Sequence, residues 1–322
     1  MIPIDDIRGA AARIAPHILR PPVRRSEWLS RARGAVFFKV ETVQPTSSYK
    51  IRGAFNAVLR LREAAGDGAA VPRLVTASAG NHGRALAFAA QTLGLPLTVF
   101  IAANAPAAKI DPIRDAGADV HACRDYDEAE RDAKLYAKAN GGVFISPYSH
   151  RDVIAGAGTI GLELVDDIPE LGAVVVPVGG GGLISGIGLA VKALSPSTRV
   201  VGVEVAASCP FIKSLAAGRL VTIDVQPSLA DGLTGNLDPD TITFDIVRTV
   251  VDEIVVVDET DLRRALAGMV AREHLLLEGA AAAGPAALLS GKVNLRGNIA
   301  VVLTGANIDP AKLMEVLTRV NA

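Results

Sequence analysis

The chain has 322 residues, half of them hydrophobic, and its 33 Lys+Arg against 34 Asp+Glu give a net charge of −1. This composition predicts a globular protein with one large domain or two smaller ones that share a cleft. The charge balance, with no long basic run, excludes a nucleic-acid backbone as an expected partner. Cys123 and Cys209 lie far apart in the chain, which fits a reducing compartment and indicates neither a zinc site nor a disulfide framework.

The first segment, Met1 to Ala15, mixes charged residues into an apolar periodicity. This pattern predicts an amphipathic helix rather than a secretory signal, so we expect a cytoplasmic protein.

The stretch from Leu171 to Val191 has no charge and is long enough to span a bilayer. Its many glycines and Pro177 would hold a continuous helix poorly, so a strand, a glycine loop and a helix are favoured over membrane insertion.

Short β-branched runs alternate with longer alanine-rich helical patterns along the chain. Strands are predicted at Val36–Val40, Leu74–Thr76, Leu97–Ile101, Val120–Cys123, Val143–Ile145, Ala173–Val178, Val200–Val205, Ile254–Val257 and Ile299–Leu303. Helices are predicted at Gly53–Ala64, Gly83–Leu93, Ala107–Ala116, Tyr126–Ala139, Ile154–Val165, Leu183–Leu194, Thr260–Glu273 and Pro310–Asn321. This alternation predicts an α/β fold with mostly parallel, open sheets covered by helices on both faces.

The number of strands is high for one sheet, and Leu74 to Ile145 forms a self-contained set of strands and helices. We therefore expect two domains. Residues 1–70 plus 150–322 form the large domain, and residues 71–149 form a small α/β domain inserted into it.

One lysine stands between an aromatic residue and an apolar helix in the segment Ser47–Ala54. Lys50 could be a nucleophile if its surroundings lower its pKa from the usual ~10.4. Tyr49, Ile51 and Phe55 could supply apolar cover, and the neighbouring Arg52 a positive charge. Alternatively, Lys50 is a solvated surface lysine, as most lysines are, and this segment alone favours neither interpretation.

Three loops follow predicted strands and lead towards helices or the end of the chain. Ser78–Gly83 offers free backbone N–H groups and polar side chains, which predict a carboxylate site, although a plain helix cap is the alternative. Gly179–Gly182 allows the backbone to approach a ligand closely, which predicts a phosphate site at a helix N-terminus. Thr304–Asn307 is an ordinary turn unless a heterocycle lies near its hydroxyl.

Gly156 to Gly161 matches the dinucleotide-binding fingerprint letter for letter, but it follows Ser149–Asp152 rather than a strand. The acidic residue that should bind the ribose about 20 residues later is also missing. Nicotinamide binding is therefore disfavoured, and close packing of a helix on its neighbours is the favoured explanation of these glycines.

Taken together, these features resemble the pyridoxal-phosphate enzymes of the tryptophan synthase β-like fold, specifically the threonine/serine dehydratase and serine racemase family. The resemblance extends over nearly the whole chain. It rests on blocks that occur in the family's order and spacing, namely Ser48–Ala54, Ser78–Gly83, Gly179–Gly182, Ala230–Gly232, Glu278–Ala280 and Thr304–Asn307.

The resemblance implies that Lys50 binds the cofactor as a Schiff base and then acts as the base at the substrate Cα. Asn81 would bind the phenolic oxygen of the cofactor, and Tyr49, where the family more often has Phe, would lie against the ring. The implied cofactor-binding residues are Lys50, Tyr49, Asn81, Gly179, Gly180, Gly181, Gly182, Leu183, Glu278 and Thr304. The implied substrate-binding residues are Ser78, Ala79, Gly80, Asn81, His82 and Gly232. The resemblance also implies a homodimer that acts on a small amino acid.

The residue expected at the ring nitrogen bears on the type of reaction. A neutral hydroxyl, here that of Thr304, leaves the nitrogen unprotonated and the ring a weaker electron sink than a carboxylate partner would. This favours loss of a β leaving group, such as water from a β-hydroxy amino acid, over transamination.

Two departures from the family pattern refine the expectation. Similar serine racemases have a second serine at the position of Ala79, so a dehydratase is preferred over a racemase. Racemase-like members bind a cation with a glutamate and an aspartate six residues later. Here the position six residues after Glu204 is Pro210, so no metal is assigned.

The chain ends soon after Thr304, so we expect no regulatory domain and no feedback control by isoleucine.

Several alternatives remain open. A racemase, a 3-hydroxyaspartate-type dehydratase or another β-lyase would share these motifs, whereas a nicotinamide dehydrogenase or a non-catalytic cofactor-binding protein represents a different class. The substrate side chain is not predicted. Tyr148 to Arg151 could line its pocket, but a solvated loop is the favoured interpretation.

Overall fold

The computed structural model describes residues 1–30, 34–66 and 69–320 of the chain. The strands in these residues are β1 (Val23–Ser26), β2 (Val36–Val40), β3 (Leu74–Ala77), β4 (Leu97–Ala102), β5 (Asp119–Cys123), β6 (Val143–Phe144), β7 (Leu171–Pro177), β8 (Arg199–Val205), β9 (Glu253–Val257) and β10 (Asn298–Leu303). The helices are α1 (Ile4–Ile14), α2 (Glu27–Ser30), α3 (Lys50–Ala65), α4 (Asn81–Leu93), α5 (Ala107–Asp115), α6 (Tyr126–Ala139), α7 (Arg151–Asp167), α8 (Gly182–Leu194), α9 (Pro210–Ala217), α10 (Thr243–Val250), α11 (Glu259–Gly268), α12 (Gly279–Leu289) and α13 (Pro310–Val320).

The strands form two separate sheets. The large sheet has the order β1-β2-β10-β7-β8-β9, and only β1 runs antiparallel to its neighbour. The small sheet has the order β5-β4-β3-β6 and is parallel throughout. The predicted α/β class with open, mostly parallel sheets is confirmed. The small sheet comes from one continuous part of the chain, but the exact boundaries at 71 and 149 stay a proposal.

The nine predicted strands are all present, with ends that differ by at most two residues. The predictions missed β1, whose sequence Val-Arg-Arg-Ser shows no alternation, and α2, α9, α10 and α12. α12 is buried on every side and contains Pro285. Its apolar residues therefore do not recur with the helical period of 3.6 that marks a helix with one apolar face. The last residue of the helix predicted to end at Asn321 lies outside the described residues.

The predicted helix Thr260–Glu273 is divided in two. α11 ends at Gly268, and Met269–Glu273 continues as a π-helical turn. Residue His274 then adopts a left-handed conformation with φ of 55°, which ends the helix and directs the chain towards Glu278.

The glycines of the fingerprint-like run lie in the middle of α7 and allow close helix packing. A β-carbon on Gly156 would lie 2.5 Å from the carbonyl oxygen of Arg52 in α3, and one on Gly158 would lie 2.9 Å from that of Gly186 in α8. A dinucleotide fingerprint must connect a strand to the start of a helix. The packing explanation is therefore confirmed, and the run is in the wrong place for a dinucleotide.

The uncharged stretch Leu171–Val191 forms β7, a glycine turn and most of α8, as the sequence predicts. Within the described ranges, no helix combines the length and the apolarity needed to cross a membrane.

Candidate active site

The segments that carry the predicted site follow the carboxyl ends of neighbouring strands. β2, β10 and β7 lie side by side in the large sheet, and they lead towards Lys50, Thr304–Asn307 and Gly179–Gly182. β3 of the small sheet leads to Ser78–His82. Because parallel strands end at the same edge of a sheet, this topology brings the three segments of the large sheet together. Hydrogen bonds from Asn81 to Glu278 and from Arg84 to Asn307 bring the loop after β3 to the same crevice.

Lys50 is the first residue of α3 and is largely enclosed. Its Nζ donates a hydrogen bond to the carbonyl oxygen of Pro147 at 2.6 Å and lies 5.3 Å from the centre of the Tyr49 ring. Burial lowers the pKa of Lys50 to about 8, although the nearby carboxyl of Glu278 acts in the opposite direction. A lysine with this pKa has a substantial neutral, nucleophilic fraction near neutral pH. The interpretation of Lys50 as a solvated surface lysine is therefore wrong.

The apolar cover of Lys50 differs in part from the expectation. The small pocket beside it is lined by Tyr49, Lys50, Gly53, Pro147, Val153, Ala157, Gly182 and Leu183. Ile51 and Phe55 instead pack into the core between α3 and the small sheet. The charge of Arg52 is neutralised by direct contacts with Glu41 and Glu163, so burial, and not Arg52, lowers the pKa of Lys50.

The glycine loop between β7 and α8 has no room for side chains. A β-carbon on Gly180 would lie 2.3 Å from the Tyr148 ring, and one on Gly181 would lie 2.5 Å from the Phe211 ring. Gly181 also has a left-handed φ of 83° and caps the N-terminus of α8. The first N–H groups of α8 have no partner within the helix and carry partial positive charge, so the loop suits a phosphate group.

We expect Gly181→Ala to destabilise the protein by roughly 2–5 kcal/mol, because it adds a left-handed strain to a steric conflict with Phe211. The matched control is Gly218→Ala. Gly218 has a φ of 67°, and among the residues described, its chain neighbours aside, no atom lies within 4 Å of an added β-carbon. Only the left-handed strain of roughly 1–2 kcal/mol applies there. Urea unfolding measures both changes, and equal losses for the two variants would contradict the described packing of the glycine loop.

The Ser78–His82 loop forms a tight turn into α4. The Ser78 Oγ accepts a hydrogen bond from the Gly80 N–H at 3.2 Å, and α4 begins at Asn81. The first amides of the helix therefore face outwards from its N-terminus, as the predicted carboxylate site requires.

The imidazole of His82 does not take part in that site as a cation. Its Nε2 hydrogen-bonds the Ile145 carbonyl oxygen at 3.1 Å, and burial, with a smaller effect from Lys50, lowers its pKa to about 3. His82 is thus neutral at physiological pH, and only its backbone N–H is suited to receive a carboxylate.

Asn81 contacts both sides of the crevice. Its Nδ2 donates to the two carboxylate oxygens of Glu278 at 2.8 and 2.9 Å, and its Oδ1 accepts from the Nδ2 of Asn307 at 2.7 Å. The sequence singled out Asn81, Glu278 and the block that ends at Asn307, but it gave Asn307 no role. An asparagine in a turn carries no signal of such a contact.

The third loop is fixed to the lysine segment by backbone hydrogen bonds. The Tyr49 N–H donates to the Thr304 carbonyl oxygen at 3.0 Å, and the Ala306 N–H donates to that of Ser47 at 2.9 Å. Gly232 lies on the other side of the site, where its carbonyl oxygen is 3.3 Å from the position of a β-carbon on Gly179. The structure thus brings the predicted cofactor and substrate residues into one crevice.

Glu278 is the most perturbed acid of this crevice. Burial raises its pKa to about 7, although the hydrogen bond from Asn81 opposes this shift. Such a carboxyl changes its charge close to physiological pH, which is unusual for a glutamate.

The raised pKa of Glu278 predicts a pH dependence of stability. The folded carboxyl holds a proton up to about pH 7, whereas in the unfolded chain it loses the proton near 4.5. Its contribution is therefore fully present below about pH 4.5 and is lost as the pH rises through 7, a change of ~3 kcal/mol. Glu278→Gln should remove this contribution to the pH dependence.

Urea unfolding of the cofactor-free protein at several pH values from 4 to 8 measures the effect. Glu204→Gln is the matched variant, because burial also raises the pKa of Glu204 to about 7. Each substitution should remove only its own share of the slope, and an unchanged slope in Glu278→Gln would contradict the burial of its carboxyl.

Glu204 is occupied by backbone contacts. Its two carboxylate oxygens accept hydrogen bonds from the Phe211 and Ile212 N–H groups at 2.8 and 2.9 Å, next to Pro210 at the start of α9. Among the residues described, no group of three or more His, Cys, Asp or Glu side chains could hold a metal ion.

Tyr148 and Ser149 do not belong to a solvated loop, so the favoured interpretation is wrong for these two residues, whereas the Arg151 side chain is exposed. The Tyr148 hydroxyl accepts a hydrogen bond from the Asp238 N–H at 2.9 Å, and the Ser149 Oγ accepts one from the Ile242 N–H at 3.1 Å. The Tyr148 ring also packs on Gly180. Short-range sequence patterns could not reveal these long-range partners.

The arrangement was compared with known proteins. Residues 14–305 match the family described as pyridoxal-phosphate dependent enzyme. The chain belongs to this family. The predicted fold type and the pyridoxal-phosphate cofactor are thereby confirmed, and the chain is an enzyme of this family rather than a nicotinamide dehydrogenase.

Individual proteins of the family are similar over nearly the whole chain. The L-threonine ammonia-lyase of Thermotoga maritima is 38% identical over 322 residues, which cover 99% of this chain and 79% of that protein. The structure of maize serine racemase has a TM-score of 0.90 at 33% identity and covers 99% of this chain and 98% of that one. The structure of the threonine deaminase from T.th. has a TM-score of 0.86 at 35% identity, with coverages of 95% and 99%.

Proposed function

We propose that the protein is an ammonia-lyase that removes water from a β-hydroxy amino acid such as L-threonine or L-serine. The observation that carries the proposal is the position of Lys50. Its amine has a pKa of about 8, and the preceding residue, Tyr49, is hydrogen-bonded to Thr304. A basic amine and a neutral hydroxyl on two segments that are bonded to each other suit a reaction in which a proton and a β leaving group depart together.

The residues of the crevice fit the cofactor in their chemistry. The closely packed backbone of Gly179–Gly182 and the N-terminus of α8 are suited to its phosphate, with Leu183 directly behind. Tyr49 is suited to contact the ring, and Lys50 to bind it covalently. Asn81 would offer an N–H of its side-chain amide to the phenolic oxygen, and the same amide donates to Glu278.

The substrate carboxylate is assigned to the start of α4. The backbone N–H groups there, from Ser78 through His82, supply donors and partial positive charge. Gly232 borders the glycine loop. These contacts would orient the substrate so that its Cα faces Lys50.

The bound cofactor supplies an electron sink for charge that develops at the substrate Cα. Lys50 removes the Cα proton, because its neutral fraction near pH 8 makes it an effective base. Ala79 has no proton to deliver from the opposite face, so return of a proton with inversion is disfavoured. The Cβ–O bond then breaks, and the leaving hydroxyl takes up one proton, so that the proton removed from Cα and the hydroxyl together account for the water released.

The overall reaction balances without an oxidant or a reductant. Loss of water gives an enamine, which takes up one water and releases ammonia, so that threonine yields one 2-oxo acid and one ammonia. The relatives named as threonine ammonia-lyase and threonine deaminase support this assignment.

A serine or other amino-acid racemase is the second candidate, because the fold of maize serine racemase matches with a TM-score of 0.90. A 3-hydroxyaspartate-type dehydratase would use the same catalytic groups on an acidic side chain. Ala79 argues against the racemase. The ion pair of Lys109 with Asp231 at 2.7 Å argues against the acidic substrate, because it occupies this lysine.

Reduction with borohydride followed by peptide mapping tests the covalent role of Lys50, and it is combined with assays for 2-oxo acid. We expect the cofactor mass on the peptide that contains Lys50, together with turnover of a β-hydroxy amino acid. A labelled Lys50 without 2-oxo acid from any such substrate would instead indicate a protein that binds the cofactor without this activity.

Three further expectations are also proposals. They are a cytoplasmic location, a homodimer, and a small domain formed by residues 71–149. The free thiols of Cys123 and Cys209 support a reducing compartment. Light scattering of the purified protein measures the assembly, and limited proteolysis near residues 70 and 150 probes the domain boundary.

A further inference from the structure

A continuous chain of side-chain hydrogen bonds leads into the site from α4. The Nη1 of Arg84 donates to the Oδ1 of Asn307 at 2.8 Å, and the Nδ2 of Asn307 donates to the Oδ1 of Asn81 at 2.7 Å. The Nδ2 of Asn81 then donates to Glu278 at 2.8 Å. The chain therefore begins at a guanidinium and ends at a carboxyl.

The two ends determine the direction of every amide between them. A guanidinium can only donate hydrogen bonds, so Asn307 must turn its oxygen to Arg84 and its NH₂ to Asn81. Asn81 must then accept with its oxygen and direct its own NH₂ to Glu278. The carbonyl oxygen of Thr46, which accepts from the same Nδ2 of Asn307 at 3.0 Å, requires the same orientation.

We propose that Arg84 and Asn307 are positioning residues that hold the Asn81 amide with its NH₂ directed at the cofactor's phenolic oxygen. This inference rests on the proposed function, because the contact between Asn81 and the phenolic oxygen is part of that proposal. An Asn81 turned by half a rotation would present its oxygen there and repel the phenolate.

The orientation matters most when Glu278 is protonated. An ionised carboxylate alone would require the NH₂ of Asn81, but a protonated carboxyl can also donate a hydrogen bond and then accepts either orientation. Because the pKa of Glu278 is raised to about 7, both forms occur near physiological pH. Arg84 never loses its proton, so the far end of the chain keeps its direction across this range.

The same contacts join the two sheets. Arg84 and Asn81 belong to α4, which follows the small sheet, whereas Asn307 follows β10 of the large sheet and Glu278 precedes α12. The chain of hydrogen bonds thus also fixes the position of α4 relative to Thr304.

Asn307→Asp is the decisive variant, because it keeps the shape of the side chain. An aspartate still accepts from Arg84, as a charge-assisted pair, but cannot donate to the Oδ1 of Asn81. Asn81 should therefore turn its NH₂ towards the new carboxylate. We expect a dissociation constant for pyridoxal phosphate about tenfold higher, equivalent to ~1.4 kcal/mol, and a melting temperature close to that of the unsubstituted protein.

A spectroscopic readout separates orientation from general damage. An N–H donated to the phenolic oxygen favours its ionised form. Without it, the pH at which the visible absorbance of the bound cofactor changes should rise by about one unit. Arg84→Met should shift the transition in the same direction, and Arg84→Lys should restore part of the unsubstituted behaviour.

Two controls test the role of the added charge. Asn140→Asp places the same charge at the exposed end of α6, where the Asn140 amide donates to the Tyr136 carbonyl oxygen of its own helix, and should leave the absorbance and affinity unchanged. Asn307→Leu removes the donor without adding a charge and should shift the transition upwards too. A shift in Asn307→Asp alone would assign the effect to charge and overturn the proposal, as would unchanged absorbance in both Asn307 variants.

These outcomes remain separate from the fate of the proposed function. Turnover in the unsubstituted protein with unchanged Asn307 variants leaves the function intact and removes the positioning role. Shifted absorbance in the variants, without 2-oxo acid from the unsubstituted protein, keeps the positioning role and removes the function. Failure of the unsubstituted protein to bind pyridoxal phosphate would overturn both.

Discussion

Replacing Lys50 with alanine is expected to abolish 2-oxo acid formation, with a loss of at least ~10⁴-fold in kcat. General base catalysis alone contributes about 10²–10⁴-fold, and Lys50→Ala also removes the only covalent attachment that we assign to the cofactor. Cofactor binding should weaken as well, because only the non-covalent contacts of the crevice remain.

Lys50→Arg is the informative companion variant. Arginine keeps the positive charge and much of the side-chain volume, but it cannot lose its proton at accessible pH. We expect the same loss of turnover, since the neutral amine and not the charge is required. Steady-state assays with L-threonine and L-serine measure both variants, and turnover within tenfold of the unsubstituted protein in either one would contradict the role of Lys50.

The second large effect concerns Arg52, two residues after Lys50. Its side chain has no exposure to solvent, and its guanidinium donates hydrogen bonds to Glu41, Thr159 and Glu163 at 2.7–2.9 Å. All five of its N–H donors are used in this way. Glu41 lies just after β2 and Glu163 in α7, so Arg52 connects α3 to two other elements beneath the site.

Arg52→Met should lower the free energy of unfolding by ~3–5 kcal/mol, because it leaves buried carboxylates without their partner. The loss should be larger than for an ordinary core substitution of similar volume. Lys39 still contacts Glu163 at 2.7 Å, so the penalty falls mainly on Glu41. Urea unfolding of the cofactor-free protein measures it.

Arg60→Met is the matched control in the same helix. Arg60 is half exposed and pairs with Glu63 and Asp152 at 3.4 and 3.8 Å. Exposed pairs of this kind contribute less than ~1 kcal/mol, so Arg60→Met should be close to neutral. A loss in Arg52→Met no greater than in Arg60→Met would show that the buried network does not stabilise the fold. Arg52→Lys should be intermediate, because one ammonium cannot replace five directed donors.

The features that could be predicted from the sequence are those with local signals. Gly179–Gly182 was recognised because four consecutive glycines after an apolar strand have few other uses, and this is where the structure places the start of α8. Lys50 was recognised only in combination with the other loops, since its neighbours alone do not decide its exposure. The parallel sheets followed from the alternation of strands and helices.

The features that could not be predicted depend on contacts between distant residues. The pairing of Arg52 with Glu41 and Glu163, and that of Asn81 with Asn307, join segments far apart in the chain. No periodicity or spacing encodes such pairs. β1 was missed for a similar reason, because an edge strand is stabilised by its partner, here β2, and not by its own pattern.

The most direct measurement of the central claim follows the fate of the substrate atoms. The protein, loaded with pyridoxal phosphate, is incubated separately with L-threonine, L-serine and L-threo-3-hydroxyaspartate. The 2-oxo acid, the ammonia and the two enantiomers of the remaining amino acid are then quantified together. We predict equal amounts of 2-oxo acid and ammonia from at least L-threonine or L-serine, with the remaining substrate still in the L form. Accumulation of the D form without 2-oxo acid would contradict the account.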